Sequence, residues 1–449
     1  MVEENGFFWQ RHAAAEQLIL DALDDLTRKN TALADLRQRL AEQASCRLFD
    51  WVDHLQLPDT PTLRERLETL HFIRQPYGGH AAYYHPGALL PAVVLVPNAM
   101  NVHGAVALRV DSVVDFLQAN NFVAAIEGSP FSPLRRAMCH CEGGVELLVV
   151  VRRGNLGFDP ATRPAHWLQD YMEAMELWQT RPRQGADEDR LWSETFRRAE
   201  QLVARLGMDL AAHVVCRGER RYWQSRNAAG RLQKSRQDTL GLGWGNHDHH
   251  TFRSSRRHFA RLVKLFSRLG FVARERFYAG EQAGWGAQVM ENRIAGLSLF
   301  LDVDLAPQEV ETDFSREELP ERETLGTVGL WCALHGDSIF AAGMHHLAIR
   351  CDFERLVCDL DRLGVKYMAP FSDFPWLKQA FSVGERWPVD TNRLDTLVMK
   401  KLLSREQADK FLAEGAIGSH LENIQRDEGY KGFNKNNVSA IIRKTDPRL

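Results

Sequence analysis

Two spacings of apolar residues take turns along the chain. FFWQRHAAAEQLILDALDDLTRKN and then ALADLRQRLAEQ place apolar residues at helical intervals with no β-rich run, so residues 1–78 are expected to form a helical N-terminal region. Past residue 80 the spacing changes. VHGAVALRV reads as a strand, VDSVVDFLQANN as a helix, and FVAAIE, RRAMCHCE and GVELLVVVRR as three further strands, which together make a βαβββ unit. Residues 161–206 return to helical spacing, and AAHVVCRGERRYW is expected to form a strand pair at the edge of the next domain.

The order of elements then recurs. DHHTFRSS, SRRHFARLVKLFSRLG, FVARERFYA, GAQVMEN and LSLFLDVDL, spanning 248–305, again give strand, helix and three strands. A third copy opens at 344 with MHHLAIR, continues through the helix DFERLVCDLDRLG and the strand VKYMAPF, and ends less regularly. A repeated order of element types is stronger evidence of architecture than any one element. The expected division is a helical region over 1–78, an N-terminal βαβββ module with a helical insertion over 79–240, and a C-terminal catalytic half of paired βαβββ modules over 241–449. The fold class is α+β. Between the second and third copies, QEVETDFSREELPERE sets seven acids against two arginines and reads as a solvated linker.

Composition narrows the class. With 449 residues, 44% of them apolar and a net charge of −3, the chain can bury a large core and has no basic excess for nucleic acid. No apolar run approaches the roughly 20 residues that span a bilayer, so no membrane role is expected. MVEENGFFWQRH lacks the basic-then-apolar order of a secretory signal, and seven cysteines without disulfide or zinc spacing point to a reducing, cytoplasmic setting. Cys139-His140-Cys141 has no second pair for zinc. Gly241-Leu242-Gly243-Trp244-Gly245 lacks the flanking strand and helix of a dinucleotide loop and reads as a flexible approach to the strand that follows.

The candidate chemistry lies on the first strands of the last two units. Aligned, they match His249 with His346 and Arg253 with Arg350, each arginine four residues after its histidine. Even offsets on a strand share a face, so two equivalent histidines are expected to point into one cavity. Neutral imidazole is a common metal ligand, and two histidines with one carboxylate form the triad that holds ferrous iron with positions left open. By pattern alone the carboxylate is Glu422, Glu385 or Glu414.

HLENIQRDEGYKGFNKNNVSAII resembles the C-terminal signature of the 4-hydroxyphenylpyruvate dioxygenase and hydroxymandelate synthase family, in which a strand ending Glu-Ile-Ile-Gln-Arg carries the metal-binding glutamate. Glu422 falls on that position. Asp248-His249 resembles the Asp-His strand of the family's first ligand, and His345-His346-Leu347-Ala348 the Gln-His-Ile-Ala strand of its second. The resemblance spans roughly residues 240–449 and implies the vicinal oxygen chelate fold. It further implies an Fe(II) cofactor held by His249, His346 and Glu422, and a dioxygenase reaction that couples oxidative decarboxylation of a 2-oxo acid to oxygenation of the same molecule. The implied partners are a small 2-oxo acid and O2, and a homodimer suits the class.

The His-x-x-x-Arg strands are also similar to those of 2-oxoadipate dioxygenase/decarboxylase, which makes Arg253 and Arg350 candidate carboxylate clamps. Phe433 would pack on the substrate, and Asn434, Asn436 and Asn437 would offer polar contacts or shape the turn. The chain departs from the family in two places. Val438 stands where a second ring-clamping phenylalanine is expected, and TNRLDTLVMKKLLSREQADKFLAEG reads as helix where the family runs strands. An extradiol catechol dioxygenase and an oxygen-independent isomerase or lyase of the glyoxalase type use the same fold, and a non-catalytic binding protein is the remaining class.

Overall fold

The computed structural model describes residues 9–77, 79–97, 103–279, 284–309, 311–434 and 438–448. Eighteen strands are described: β1 (Val52–Pro58), β2 (Ile73–Tyr77), β3 (His80–Tyr84), β4 (Ala92–Val96), β5 (Gly104–Arg109), β6 (Ile126–Glu127), β7 (Leu134–Glu142), β8 (Val145–Arg152), β9 (His247–Arg253), β10 (Val272–Ala279), β11 (Trp285–Asn292), β12 (Leu297–Asp304), β13 (His346–Arg350), β14 (Ser372–Phe374), β15 (Leu377–Phe381), β16 (Arg386–Trp387), β17 (Ala416–Ile417) and β18 (His420–Arg426). Two sheets of eight share one topology. The first runs β2-β3-β4-β1-β5-β8-β7-β6 and the second β10-β11-β12-β9-β13-β18-β15-β14.

Each sheet is therefore a pair of βαβββ modules joined through their first strands. The joins are antiparallel, β1 to β5 and β9 to β13, while the first and last strands of each module run parallel, as in β12 beside β9 and β18 beside β13. The sequence predicts one module in the N-terminal half; the structure has two. The additional one begins with β1, inside the region expected to be wholly helical. VDHLQLP alternates buried and half-buried positions except at His54-Leu55, where two buried residues follow one another, and so short and broken a period is easily lost in a helix-rich neighbourhood.

The helices of each module cover one face of its sheet. Phe259–Arg268 shows why: Phe259, Leu262, Val263, Leu265 and Phe266 fall on one stripe, and all are buried against the second sheet. Between the sheets, residues 166–238 form the helices His166–Gln179, Glu188–Leu206, Met208–Ser225 and Ala228–Asp238. The strand pair expected over 211–223 is part of the third of these. Ala211, Val214, Val215 and Cys216 recur at helical intervals and are all buried, so the apolar period is nearer 3.6 than 2.

Two other expectations are revised. VKYMAPF contributes only a single bridge, Tyr367 to Ser382. The acidic run is anchored: Phe314 and Leu319 are buried, and Glu309 and the Pro320 carbonyl both accept hydrogen bonds from Arg256. TNRLDTLVMKKLLSREQADKFLAEG is helical as read, forming Thr391–Met399 and Arg405–Glu414, the latter begun by a capping box between Ser404 and Gln407. Among the described residues no helix is long and apolar enough to cross a membrane.

Candidate metal centre

β9 contains a bulge. Opposite β13, Leu347 faces His250 and Ile349 faces His247, so β9 spends one extra residue in the Asp248-His249 segment. A bulge re-aims side chains. Here it leaves the rings of His247 and His250 facing the same way, 5.3 Å apart, and frees Asp248 to reach its neighbour. The Asp248 Oδ2 lies 2.9 Å from His249 Nδ1, and Asp248 is held in turn by Arg426 at the end of β18. A carboxylate on Nδ1 fixes the imidazole so that Nε2 presents its lone pair.

The other two residues arrive from adjacent strands. Parallel pairing of β13 with β18 sets His346 opposite His420 and Ala348 opposite Glu422. Glu422 Oε2 lies 3.2 Å from His249 Nε2 and 3.0 Å from His346 Nε2. One atom from each of the three residues falls within 4.8 Å of the others, and this is the cluster of metal-ligating type found among the described residues. All three residues are buried.

The surrounding groups hold this arrangement in place. His346 Nδ1 is 2.9 Å from His345 Nδ1; with the proton on His346, Nε2 is left as a lone pair. The Thr251 hydroxyl lies 2.7 Å from that same Nε2, and Gln379 Nε2 donates to Glu422 Oε1 at 2.8 Å. Burial opposes charge on His249, but Glu422 and Asp248 outweigh it and raise its pKa to about 9. Burial likewise opposes charge on Glu422, yet the two histidines bring it down to about 2. For His346 burial wins, taking it to about 4. Two imidazole nitrogens and one carboxylate oxygen suit a divalent transition ion, and a neutral His346 is already in its metal-binding form.

One cavity joins this cluster to Arg253, Asp302, Phe300, Phe381 and Phe433. Arg253 is fully buried; Nη2 donates to Thr445 Oγ1 at 3.0 Å, while Nε and Nη1 have no hydrogen-bond partner among the described residues. Asp302 Oδ2 is 3.8 Å from Arg253 Nε, and its Oδ1 is also without a partner. Burial raises the Asp302 carboxyl to about 7, against the pull of Arg253. Phe433 stands edge-on to His249 at 5.1 Å under the Arg426 guanidinium.

The two expected clamps part company. Arg253 lines the cavity; Arg350 is not among its lining residues. β9 and β13 are antiparallel, so a residue four places after each histidine lies toward opposite ends of the strand pair. Asn434 is buried, with Nδ2 3.5 Å from the Phe371 carbonyl. Asn436, Asn437 and the side chain of Val438 lie outside the described residues. Of the other carboxylates, Glu385 caps the backbone amide of Ala228 and Glu414 is exposed at a helix end. Gly243 is not a flexible approach: it takes a positive φ of 62° against Asp111, where the chain makes a tight crossing. Sequence reasoning missed Asp302, Gln379 and Thr251 as members of the site; a lone acid inside the apolar strand LSLFLDVDL was the available signal.

No family model and no curated protein matches this sequence. Among solved structures the chain is similar to a triple mutant of 4-hydroxymandelate synthase from Streptomyces coelicolor, with 13% identity over 88% of this chain and 97% of that one and a TM-score of 0.30. It is similar to a xylose isomerase-like TIM barrel/4-hydroxyphenylpyruvate dioxygenase fusion protein, with 13% identity over 91% of this chain and 56% of that one and a TM-score of 0.24. Methylmalonyl-CoA epimerase from Mycobacterium tuberculosis matches 40% of this chain over 88% of its own, at 11% identity and a TM-score of 0.23. The strand order described above, with βαβββ modules paired through their first strands, is the arrangement that the sequence resemblance implies.

Proposed function

We propose that the protein is a non-heme Fe(II)-dependent dioxygenase acting on a 2-oxo acid, with His249, His346 and Glu422 holding the metal. The observation that carries this reading is the joining, in one buried cavity, of a two-histidine, one-carboxylate cluster with the Arg253 guanidinium. When bound, the metal supplies a Lewis acid and the means of activating oxygen. The chain supplies the rest. Arg253, with two N–H directions unused, binds and orients a substrate carboxylate; its planar fork suits that group. Phe300, Phe381 and Phe433 exclude water and pack on the substrate's carbon skeleton. Asp248 and His345 hold the two imidazoles in the tautomers that a metal requires.

The test is oxygen uptake measured together with carbon dioxide release by anaerobically iron-loaded protein, across a panel of 2-oxo acids and catechols. Coupled turnover on a 2-oxo acid, lost in Glu422→Ala and with a raised KM in Arg253→Met, is the expected result. Ring fission of a catechol would instead identify an extradiol enzyme.

Asp302 favours a second reading, an oxygen-independent isomerase or lyase. The Asp302 carboxyl, raised by burial to about 7 and with one oxygen free in the same cavity, would be placed to accept and return a substrate proton, while a metal held by His249, His346 and Glu422 would supply a Lewis acid. Turnover without oxygen, abolished in Asp302→Asn, would establish that reading.

A further inference from the structure

Residues 427–434 carry Phe433 to the face of His249, and this turn is held from two sides. From within, the Arg426 guanidinium donates to the carbonyls of Tyr430 at 3.3 Å and Gly432 at 2.5 Å, while its other N–H groups hold Asp248. From outside, Glu16 reaches in from the first turn of the helix Ala13–Lys29. Its Oε1 accepts from the Glu428 amide at 2.9 Å and its Oε2 from the Gly429 amide at 2.8 Å. Successive amides converging in this way form a concave seat for an anion. The backbone is unusual at the same point: Glu428 and Gly429 both take a positive φ, 57° and 63°, which the Glu428 side chain disfavours. The His12 amide adds a bond to the Glu428 carbonyl at 2.6 Å, so the start of the helix and the turn are laced together.

The first sheet shows that such a turn can form without this grip. Arg152 ends β8 as Arg426 ends β18; it donates to the carbonyls of Asn155 at 3.2 Å and Gly157 at 2.6 Å, and it lies over Phe158 at 4.9 Å, as Arg426 lies over Phe433 at 4.9 Å. Phe158 follows Arg152 by six residues, whereas Phe433 follows Arg426 by seven. Of residues 153–157 only Gly154 takes a positive φ, and the turn is closed by its own Asn155, whose Oδ1 accepts from the Gly157 amide at 2.9 Å. Among the described residues no carboxylate from another element accepts from the amides of residues 154–157. The carboxylate grip thus accompanies the sheet that gathers His249, His346 and Glu422.

We infer that Glu16 is a positioning residue of the metal centre: by fixing the turn at Glu428 and Gly429 it sets Phe433 against the His249 ring and closes that wall of the cavity. This rests on the reading of His249, His346 and Glu422 as metal ligands and deepens it, because it brings the N-terminal helix into the site. Phe433 is buried and meets His249 at 5.1 Å with the rings 87° apart, an edge-to-face contact that a small shift of the turn would lose. The same shift would loosen the carbonyls that hold Arg426, and with them the brace on Asp248.

Nuclear magnetic resonance of the histidine rings in the full, metal-free chain tests this, with His249→Gln and His54→Gln assigning the two rings. Glu16→Ala is expected to move the His249 signals in the direction that Phe433→Leu moves them and to leave those of His54 in place. Glu16→Gln keeps one oxygen able to accept, so it should move them less; it decides the matter if Glu16→Ala folds poorly. Zn(II) is expected to bind Glu16→Ala more weakly than the natural chain, by less than the roughly 10- to 100-fold typical of losing a bracing bond to a ligand histidine. His249 signals that stay in place in both Glu16 proteins, or His54 signals that move equally, overturn the inference. Failure of the natural chain to bind Zn(II) counts instead against the metal reading, and the metal-free spectra then still decide whether Glu16 sets Phe433.

Discussion

The two sheets carry the same frame and differ in what it holds. In the second, Asp248 braces His249, Arg426 braces Asp248, and Phe433 stands on His249 beneath Arg426. In the first, Asp53 braces His54 at 2.7 Å, Arg152 braces Asp53, and Phe158 stands on His54 at 4.8 Å beneath Arg152. The registers extend the match: Ala105 faces Gln56 as His346 faces Thr251, and Leu148 faces Ala107 as Glu422 faces Ala348. Two of three ligand positions are thus Ala105 and Leu148, which join Ala107, Leu134 and Val150 in an apolar cluster. Where the second sheet gathers polar groups with unused hydrogen-bonding capacity, the first has closed the space with methyl groups. The brace around the first histidine persists without a matching cluster, so it belongs to the fold; the candidate metal centre is completed by His346 and Glu422.

Replacing ligands should separate the two sheets most sharply. Glu422→Ala is expected to lower metal affinity by more than the roughly 10- to 100-fold typical of losing a supporting hydrogen bond. Leu148→Ala, at the matching place, should leave metal binding intact and cost about 2–5 kcal/mol of stability, read by chemical denaturation. The braces come next. Asp248→Asn should cost about 10- to 100-fold in metal affinity, whereas Asp53→Asn should cost stability alone.

The pH dependence of the metal-free protein gives a finer contrast. His249, raised from 6.5 to about 9, contributes stability that is complete below 6.5 and lost as pH rises through 9. Glu422, lowered from 4.5 to about 2, contributes stability that is complete above 4.5 and lost as pH falls through 2. Denaturation midpoints should therefore fall from pH 6.5 toward 9, and this alkaline fall should shrink in Glu422→Gln, where Asp248 alone still favours the charged imidazole. At pH 7.5 metal uptake should release about one proton per ion, measurable by calorimetry in buffers of different ionisation enthalpy.

The cluster of His249, His346 and Glu422 is legible in the sequence because each residue sits in a distinctive local string: Asp248-His249, His345-His346-Leu347-Ala348, and Glu422 before Gln425-Arg426. β1 was hidden because its matching string, Asp53-His54, stands in a helix-rich stretch and its partner positions, Ala105 and Leu148, had lost their side-chain chemistry. Asp302 and Gln379 join the site through lateral strand pairing, which no local pattern records. The parting of Arg253 from Arg350 follows from strand direction: equal offsets along antiparallel strands diverge, and only the sheet topology shows this.

Equilibrium binding of Fe(II) under anaerobic conditions, in the natural chain, Glu422→Ala and Leu148→Ala, tests the difference between the sheets most directly. One ion per chain, lost in Glu422→Ala and kept in Leu148→Ala, is the predicted result. Two ions per chain, or one that survives in Glu422→Ala, would contradict it.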